Sequence, residues 1–438
     1  MRRRVVVTGA GCVTPLGGNV AEVWEGLTEG RSGIGPITLF DASDLPIRIA
    51  AEVRNWDLSD VGEDPDAWQT HPRQTAFAVG AAIQAVRSAG LEEARLDPLR
   101  LGVYLGCGET YQDFFQFAQW TSAAARNGPF EQLRFLEAVL REEHADAGLQ
   151  FELNMPAHLL AGVFNAQGPN LNCTATCVSS AQAIGEATET IRRGQADVML
   201  AGGAHSMIHP FGVSGFHRLA VLSEHNDAGP KAMRPFDRDR NGFVIGEGGA
   251  ILVLESLEHA QRRGAEIWGE LTGYGSTHDA FRLTDADPGA RGATTCIARA
   301  LHDAWLHPDE IDYVNAHGTS TKLNDKVETL AIKQAFGPRA YDLPISSTKS
   351  MMGHLTTACG AIETLVSLMV VRSGAVPPTI NYETSDPECD LDYVPNCTRE
   401  LPCRHALSNS LGFGGQNAAL IVSRFDERTG PGVSCCAV

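Results

Sequence analysis

Short apolar runs alternate with helix-period segments along this 438-residue chain, and the alternation happens twice. In the first part, Val5-Val6-Val7, Leu101 to Leu105, Asp197 to Ala201 and Ala250 to Leu254 read as strands. Helical patterns cover 20–27, 73–90 and the stretch after Cys177. In the second part, Ile311 to Asn315, Pro344 to Ser347, Ala406 to Ser408 and Ala418 to Val422 read as strands, with helices over 326–336 and around Glu363. Such alternation demands mixed sheets covered on both faces. Two similar α/β halves packed together are expected, with the aromatic and polar region 111–158 as a helical excursion holding a helix over 133–143. Val5-Val6-Val7 is expected to enter a turn at Gly9-Ala10-Gly11, and strand 197–201 to stop at Gly202-Gly203. A dinucleotide-binding loop is excluded at the first of these, because Thr14 and then Pro15 stand where the fingerprint needs glycine and a helix start.

Composition removes several function classes. Hydrophobic residues at 43% and charged residues at 20% suit a chain with a large buried core. No apolar run approaches the roughly 20 residues that span a bilayer. The basic Arg2-Arg3-Arg4 precedes an apolar run of only Val5 to Val7, so the start reads as a first strand and not a signal peptide. The eleven cysteines include no CxxC pair, which leaves neither a disulfide framework nor a zinc ribbon and favours a reducing cytoplasm. A net charge of −18 argues against nucleic acid. The ending Cys435-Cys436-Ala437-Val438 has the form of a prenylation box but lacks a polybasic segment, and residues 426–438 read as a flexible tail. His205 and His209 are spaced i, i+4, but no third ligand stands nearby and Pro210 disrupts the helix, so no metal is expected.

The chemistry-bearing stretch is Leu171 to Gly185. Ala181, Ile184, Ala187 and Ile191 recur at helical spacing after Cys177, and Gly194 supplies a stop. Cys177 is therefore expected at a helix start, where unpaired N–H groups and the helix dipole favour a thiolate nucleophile. His317 and His354 follow apolar strands in the same way, each flanked by small residues. Loops at strand ends are where rigid α/β scaffolds carry chemistry. Lys349, if buried, needs a counterion.

With these motifs assembled, the chain resembles the β-ketoacyl-acyl carrier protein synthases, in the subgroup of bacterial elongating enzymes and type II polyketide ketosynthases. The resemblance runs from Val5 to about Phe425. It rests on Val7 to Gly11 with Thr14-Pro15-Leu16-Gly17, on Cys177 with Ile184-Gly185 and Gly194 to Asp197, and on Arg234 to Asp237 with Gly242 to Gly248. Asn315 to Thr321, Ser347 to Ser350 with Gly353-His354, and Gly412 to Gly415 complete it. It implies the thiolase fold: duplicated βαβαβαββ halves in a five-layer αβαβα arrangement, a nucleophile half at 1–256 and a histidine half at 257–425. It also implies a homodimer, with a ketosynthase-like second subunit as the other pairing, and an acyl carrier protein bearing phosphopantetheine as partner; no cofactor is implied. The reaction implied is decarboxylative Claisen condensation. Cys177 holds the acyl group while His317 and His354 stabilise the enolate, and backbone N–H groups of Cys177 and Phe413 form an oxyanion hole. Glu363 pairs with Lys349, Glu328 supports the site, Thr319 and Thr321 contact pantetheine, and Phe413 gates the pocket.

The sequence departs from that pattern at four places. Ala175-Thr176 precedes Cys177 where Thr-Ala is common. Glu109 stands where an apolar residue usually borders the acyl pocket, which argues against a long saturated substrate. The excursion 111–158 is long. The basic cluster before the third helix is reduced to Arg73, and Ala220 replaces an arginine, with Arg218 close by. A non-catalytic chain-length-factor subunit is the competing reading, opposed by the intact Cys177, His317, His354 and Lys349. A thiolase would need a second cysteine within Gly412-Phe413-Gly414-Gly415, which has none.

Overall fold

A computed structural model describes residues 2–108, 114–126, 128–142 and 148–427. Ten strands form its main sheet system: β1 (Val5–Val13), β2 (Leu101–Cys107), β3 (Asn170–Asn172), β4 (Val198–His205), β5 (Gly248–Ser256), β6 (Gly269–His278), β7 (Tyr313–Asn315), β8 (Ile345–Ser346), β9 (His405–Gly412) and β10 (Gln416–Ser423). Their spatial order is β3-β2-β4-β5-β1, then β6-β10-β9-β7-β8. Each half repeats one pairing scheme. The strands β3, β2 and β4 run parallel, and β5 is antiparallel to both β4 and β1. In the same way β8, β7 and β9 run parallel, with β10 antiparallel to β9 and β6. The halves meet through a short antiparallel contact of β1 with β6.

Helices make the remaining layers. Helix Ser179–Arg192 and helix Cys359–Ser373 are buried nearly all round, the pattern of helices enclosed between two sheets. Ala181, Ile184, Ala361, Ile362 and Leu365 join residues of both half-sheets in one core. Gly360 permits their close crossing, since a Cβ there would lie 2.6 Å from the backbone nitrogen of Ala181. Helices Arg73–Ser88 and Met155–Val163 cover the outer face of the first half. Helices Arg291–Ala304 and Lys322–Phe336 cover the second. The result is a five-layer, thiolase-like αβαβα stack.

The two glycine turns expected in the first half do not form. β1 continues through Gly9 and Gly11 to Val13, and β4 continues through Gly202 and Gly203 to His205. These glycines answer a packing demand. A Cβ on Gly11 would sit 2.2 Å from the carbonyl oxygen of Ala81 in helix Arg73–Ser88, and one on Gly202 would sit 2.0 Å from that of Ala250. The i, i+4 reading of His205 and His209 also changes, because His205 ends a strand and the His209 Nδ1 caps helix Pro210–Arg218 by accepting from the Gly212 N–H. Within the excursion, helices Phe114–Ala125 and Gln132–Glu142 are present. Glu109, the start of the excursion at 111, and the tail beyond 427 lie outside the described residues. No helix among the described residues is long and apolar enough to cross a membrane.

Candidate active site

The three chemistry-bearing turns lie at the ends of parallel strands. After β3 the chain makes a three-residue turn, Thr176–Val178, and enters helix Ser179–Arg192 with Cys177 just ahead of the first helical residue. Thr176 adopts φ +52°, a left-handed conformation rare for a threonine. Ser179 holds it there: its Oγ accepts from Ala175 N–H at 2.8 Å and donates to the Thr176 carbonyl at 2.7 Å. The Thr176 hydroxyl also donates to the Phe413 carbonyl at 3.0 Å, fastening the nucleophile turn to the Gly412–Gly415 loop.

The second half repeats this device. Thr356, at φ +45°, opens the turn Thr356–Ala358, and helix Cys359–Ser373 follows. Helix onset comes at the same offset in both, so Thr357 occupies in the second half the position that Cys177 occupies in the first. Only the first turn carries a thiol there.

His317 and His354 are brought to Cys177. The sulfur and one nitrogen of each imidazole lie within 4.8 Å of one another, all buried. The imidazole planes stand at 84° with centroids 5.4 Å apart. Backbone bonds pin His354, whose N–H donates to the Val244 carbonyl at 2.8 Å and whose carbonyl accepts from Gly246 N–H at 3.0 Å. This explains the Gly242 to Gly248 motif, and Phe243 adds an edge contact to the His354 ring at 4.8 Å.

The hydrogen bonds assign both tautomers. Lys349 Nζ donates to His317 Nδ1 at 3.3 Å. His354 Nδ1 accepts from Thr356 N–H at 3.0 Å, with the Cys359 thiol 3.1 Å away. In each ring Nδ1 is therefore an acceptor, and the single proton of the neutral imidazole sits on Nε2. Burial, the Lys349 charge and the neighbouring imidazole hold His317 well below the ordinary histidine range. Burial, Lys349 and His205 do the same for His354. Both rings are neutral Nε2–H donors at neutral pH. Thiol and imidazoles could in principle ligate a soft metal, but the Lys349 ammonium against one of them opposes a further cation.

Lys349 forms a buried ion pair with Glu363, each side chain 2% exposed. Burial pulls the lysine down, but the Glu363 charge more than offsets this and its pKa is raised. Burial pushes Glu363 up to about 7 against the pull of Lys349. We take the pair as ionised, because Glu363 is the one counterion in contact with the lysine among the described residues. Glu328 accepts from the backbone N–H groups of His317 and Gly318, both at 2.7 Å, and from the Asn409 side chain at 2.8 Å. It thereby shapes the His317 turn from below, and burial raises it to about 7.

A cavity of about 340 Å³ leads from the surface to Cys177, His317 and His354. Thr319, Thr321 and Phe413 line it. Thr319 and Thr321 share a hydrogen bond at 2.9 Å. Asn241, Leu219 and Val221 also line it and were not singled out from the sequence, whereas Ala220 and the motif residue Phe243, also in the lining, were named there. Cys359 and Asn409 were missed as well, although Cys359 follows His354 by only five residues, a spacing that could have drawn notice. Arg73, the remnant of the docking cluster, is occupied: its guanidinium bonds the buried Glu247 and the Val53 carbonyl. Arg218 is exposed beside Leu219 at the cavity mouth.

A five-layer duplicated fold with a thiol at one helix start and two neutral imidazoles over it defines an acyl-transferring enzyme of the thiolase-like class. Comparison with known proteins narrows this. Residues 2–260 match the family described as Beta-ketoacyl synthase, N-terminal domain, and residues 268–383 match Beta-ketoacyl synthase, C-terminal domain. The chain is 42% identical over 426 residues to 3-oxoacyl-[acyl-carrier-protein] synthase 2 of Coxiella burnetii, covering 97% of this chain and 99% of that one. It is 44% identical over 430 residues to the protein of the same name from Synechocystis, with the same coverage. A solved type II polyketide ketosynthase, in complex with its acyl-carrier protein and bound to a hexaketide, superposes with a TM-score of 0.86 at 33% identity over 97% of this chain and 100% of that chain. The chain belongs to the β-ketoacyl synthase family. It is a ketosynthase, an acyltransferase.

Proposed function

We propose that the enzyme condenses an acyl group carried on Cys177 with a malonyl unit delivered on the phosphopantetheine arm of an acyl carrier protein, with loss of carbon dioxide. The observation that carries this reading is the pair of neutral Nε2–H donors converging beside the thiol. In loading, the Cys177 sulfur attacks the carrier thioester, the backbone N–H groups of Cys177 and Phe413 receive the oxyanion, and the carrier thiol leaves with the proton. In condensation, the malonyl thioester oxygen sits between His317 and His354. Carbon dioxide departs, enolate charge develops on that oxygen, and both imidazoles donate to it without themselves needing to ionise. The enolate carbon then attacks the acyl carbon, forming the C–C bond as the C–S bond to Cys177 breaks.

Lys349, paired with Glu363, and the Thr356 N–H hold the two rings in this tautomeric state, while Glu328 supports the His317 turn. Thr319 and Thr321 line the path of the arm, and Phe413 stands at its inner end. The reading divides the chain into a nucleophile half, 1–256, and a histidine half, 257–425. No cofactor takes part. The described cysteines are thiols and not disulfides, which fits a reducing cytoplasm. A homodimer built on the open edge of β3 suits the exposed Leu171, together with Leu133, Leu136 and Leu140 along one exposed face of helix Gln132–Glu142. Pairing with a second ketosynthase-like subunit would use the same edge. A chain-length-factor role is disfavoured by the complete set of Cys177, His317, His354 and Lys349.

Intact mass spectrometry of the enzyme offered acyl-carrier proteins tests the reading. Wild type is expected to gain the acyl mass on Cys177, and Cys177→Ala to gain none. An acylated Cys177→Ala protein would overturn the assignment.

A further inference from the structure

We propose that Cys359 is a positioning residue for His354: its thiol donates to Nδ1 and so strengthens the Nε2–H as a donor to the malonyl thioester oxygen. The inference rests on the reading of His354 as a group that stabilises the enolate, and adds the residue that prepares it.

Cys359 opens helix Cys359–Ser373 and is buried. Its place in the second half is that of Ser179 in the first, three residues after a threonine of positive φ. Ser179 turns its hydroxyl to its own turn, at the Ala175 N–H and the Thr176 carbonyl. Cys359 instead turns its sulfur to the imidazole of His354, 3.1 Å from Nδ1. A second contact sets the direction of this bond. Nδ1 already accepts from the Thr356 N–H at 3.0 Å, and a backbone N–H can only donate. Nδ1 therefore presents its lone pair, and the sulfur can meet that lone pair only through its own proton. The proton is there: burial raises the Cys359 pKa well above the ordinary thiol range, against the pull of the Lys349 charge. Cys359 does not line the access cavity, so it acts on His354 and not on substrate.

The two imidazoles are then matched. His317 Nδ1 receives one charged donor, the Lys349 ammonium. His354 Nδ1 receives two neutral donors in a three-centre bond. Charge-assisted hydrogen bonds are roughly twice as strong as neutral ones, so the two arrangements pull on their rings to a similar degree. Each donor into Nδ1 withdraws electron density and makes the opposite Nε2–H more acidic. That strengthens its bond to the thioester oxygen as enolate charge develops there. A thiol does this for His354 without setting a second buried cation near Lys349, which would be costly.

The test compares Cys359→Ala, which removes the donor, with Cys359→Ser, which keeps one. Acyl loading of Cys177 is read by intact mass, and condensation by single turnover of the acyl-enzyme with malonyl-carrier protein. The His354 ring is read by nitrogen NMR of enzyme carrying isotope-labelled histidine. In Cys359→Ala the saturating condensation rate is expected to fall about threefold, while the half-saturating carrier concentration and the loading rate hold. That is the lower part of the range for one neutral hydrogen bond, because S–H is a weak donor. Cys359→Ser is expected to stay close to wild type. The wild-type ring is expected as the Nε2–H tautomer with a hydrogen-bonded Nδ1, whose signal moves toward that of a free lone pair in Cys359→Ala and not in Cys359→Ser. A wild-type ring protonated on Nδ1, or one with a free Nδ1 lone pair, overturns the proposal even if neither variant folds. An unchanged condensation rate in folded Cys359→Ala overturns it. Equal slowing of loading and condensation, the mark of a packing role, does so too, as does Cys359→Ser no faster than Cys359→Ala. A wild type that loads Cys177 but does not decarboxylate malonyl-carrier protein removes the condensation reading and this inference together. Decarboxylation indifferent to Cys359 removes this inference alone.

Discussion

Lys349 and Glu363 show how tightly single residues are coupled here. Both are buried, and removing one partner leaves the other's charge in the interior, which costs about 3–5 kcal/mol. Lys349→Met is expected to lower stability by that order in denaturant titration. The double variant Lys349→Met/Glu363→Leu is expected to recover most of it while condensation stays impaired, because His317 Nδ1 has lost its donor. Equal destabilisation in the two would show that the pair's charge is not what matters. The histidines make a second residue-level prediction. A folded pKa below the unfolded value of about 6.5 means fewer protons bound in the folded state, so the two rings contribute stability that is lost as pH falls below that value. Glu328 and Glu363, raised to about 7, have the opposite sign and lose their contribution as pH rises through 7. The opposing slopes flatten the net profile, so the direct readout is NMR of the ring Cε1–H signals. No titration step near pH 6.5 is expected for His317 or His354, and a midpoint there would contradict the assigned tautomers.

At the scale of elements, the nucleophile turn depends on how closely helix Ser179–Arg192 approaches β2. A Cβ on Gly106 would lie 2.2 Å from the Ser180 nitrogen, where backbone and not a side-chain tip would have to move. Gly106→Ala is expected to destabilise by about 1–3 kcal/mol as an overpacked site and to slow acyl loading, read by melting and by intact mass. Unchanged loading would show that the turn tolerates movement of its helix. The strand glycines also explain where sequence reading failed. Gly9, Gly11, Gly202 and Gly203 look like turn residues by local rules. Their actual cause is a neighbouring backbone far away in sequence, and no local pattern encodes that. Helix positions were legible because apolar spacing is itself local, as in Ala181, Ile184, Ala187 and Ile191.

For the whole molecule, the two ends of the strand array differ. At β8 the chain covers its own edge, with Ile345 N–H donating to the Asp392 carbonyl. At β3 no further strand among the described residues pairs beyond Asn170–Asn172, and Leu171 is 46% exposed. An open apolar edge is a template for pairing with another chain. Leu171→Lys is therefore expected to shift sedimentation from dimer toward monomer, and an unchanged dimer would place the interface elsewhere. By itself the sequence determined the α/β class and the duplication and marked Cys177, His317 and His354 as candidates, because periodicity and motif spacing are properties of the chain; Glu328 and Glu363 came only from the family resemblance. Only the tertiary structure decided that Lys349 and Thr356 fix the protons of two histidines and that Arg73 is consumed by Glu247. Cys177 at the head of its helix was a plausible thiol from sequence, and the fold made it a site by carrying His317 and His354 to it from the other half. Those facts depend on which atoms face one another across the two halves, and chain order carries no record of that.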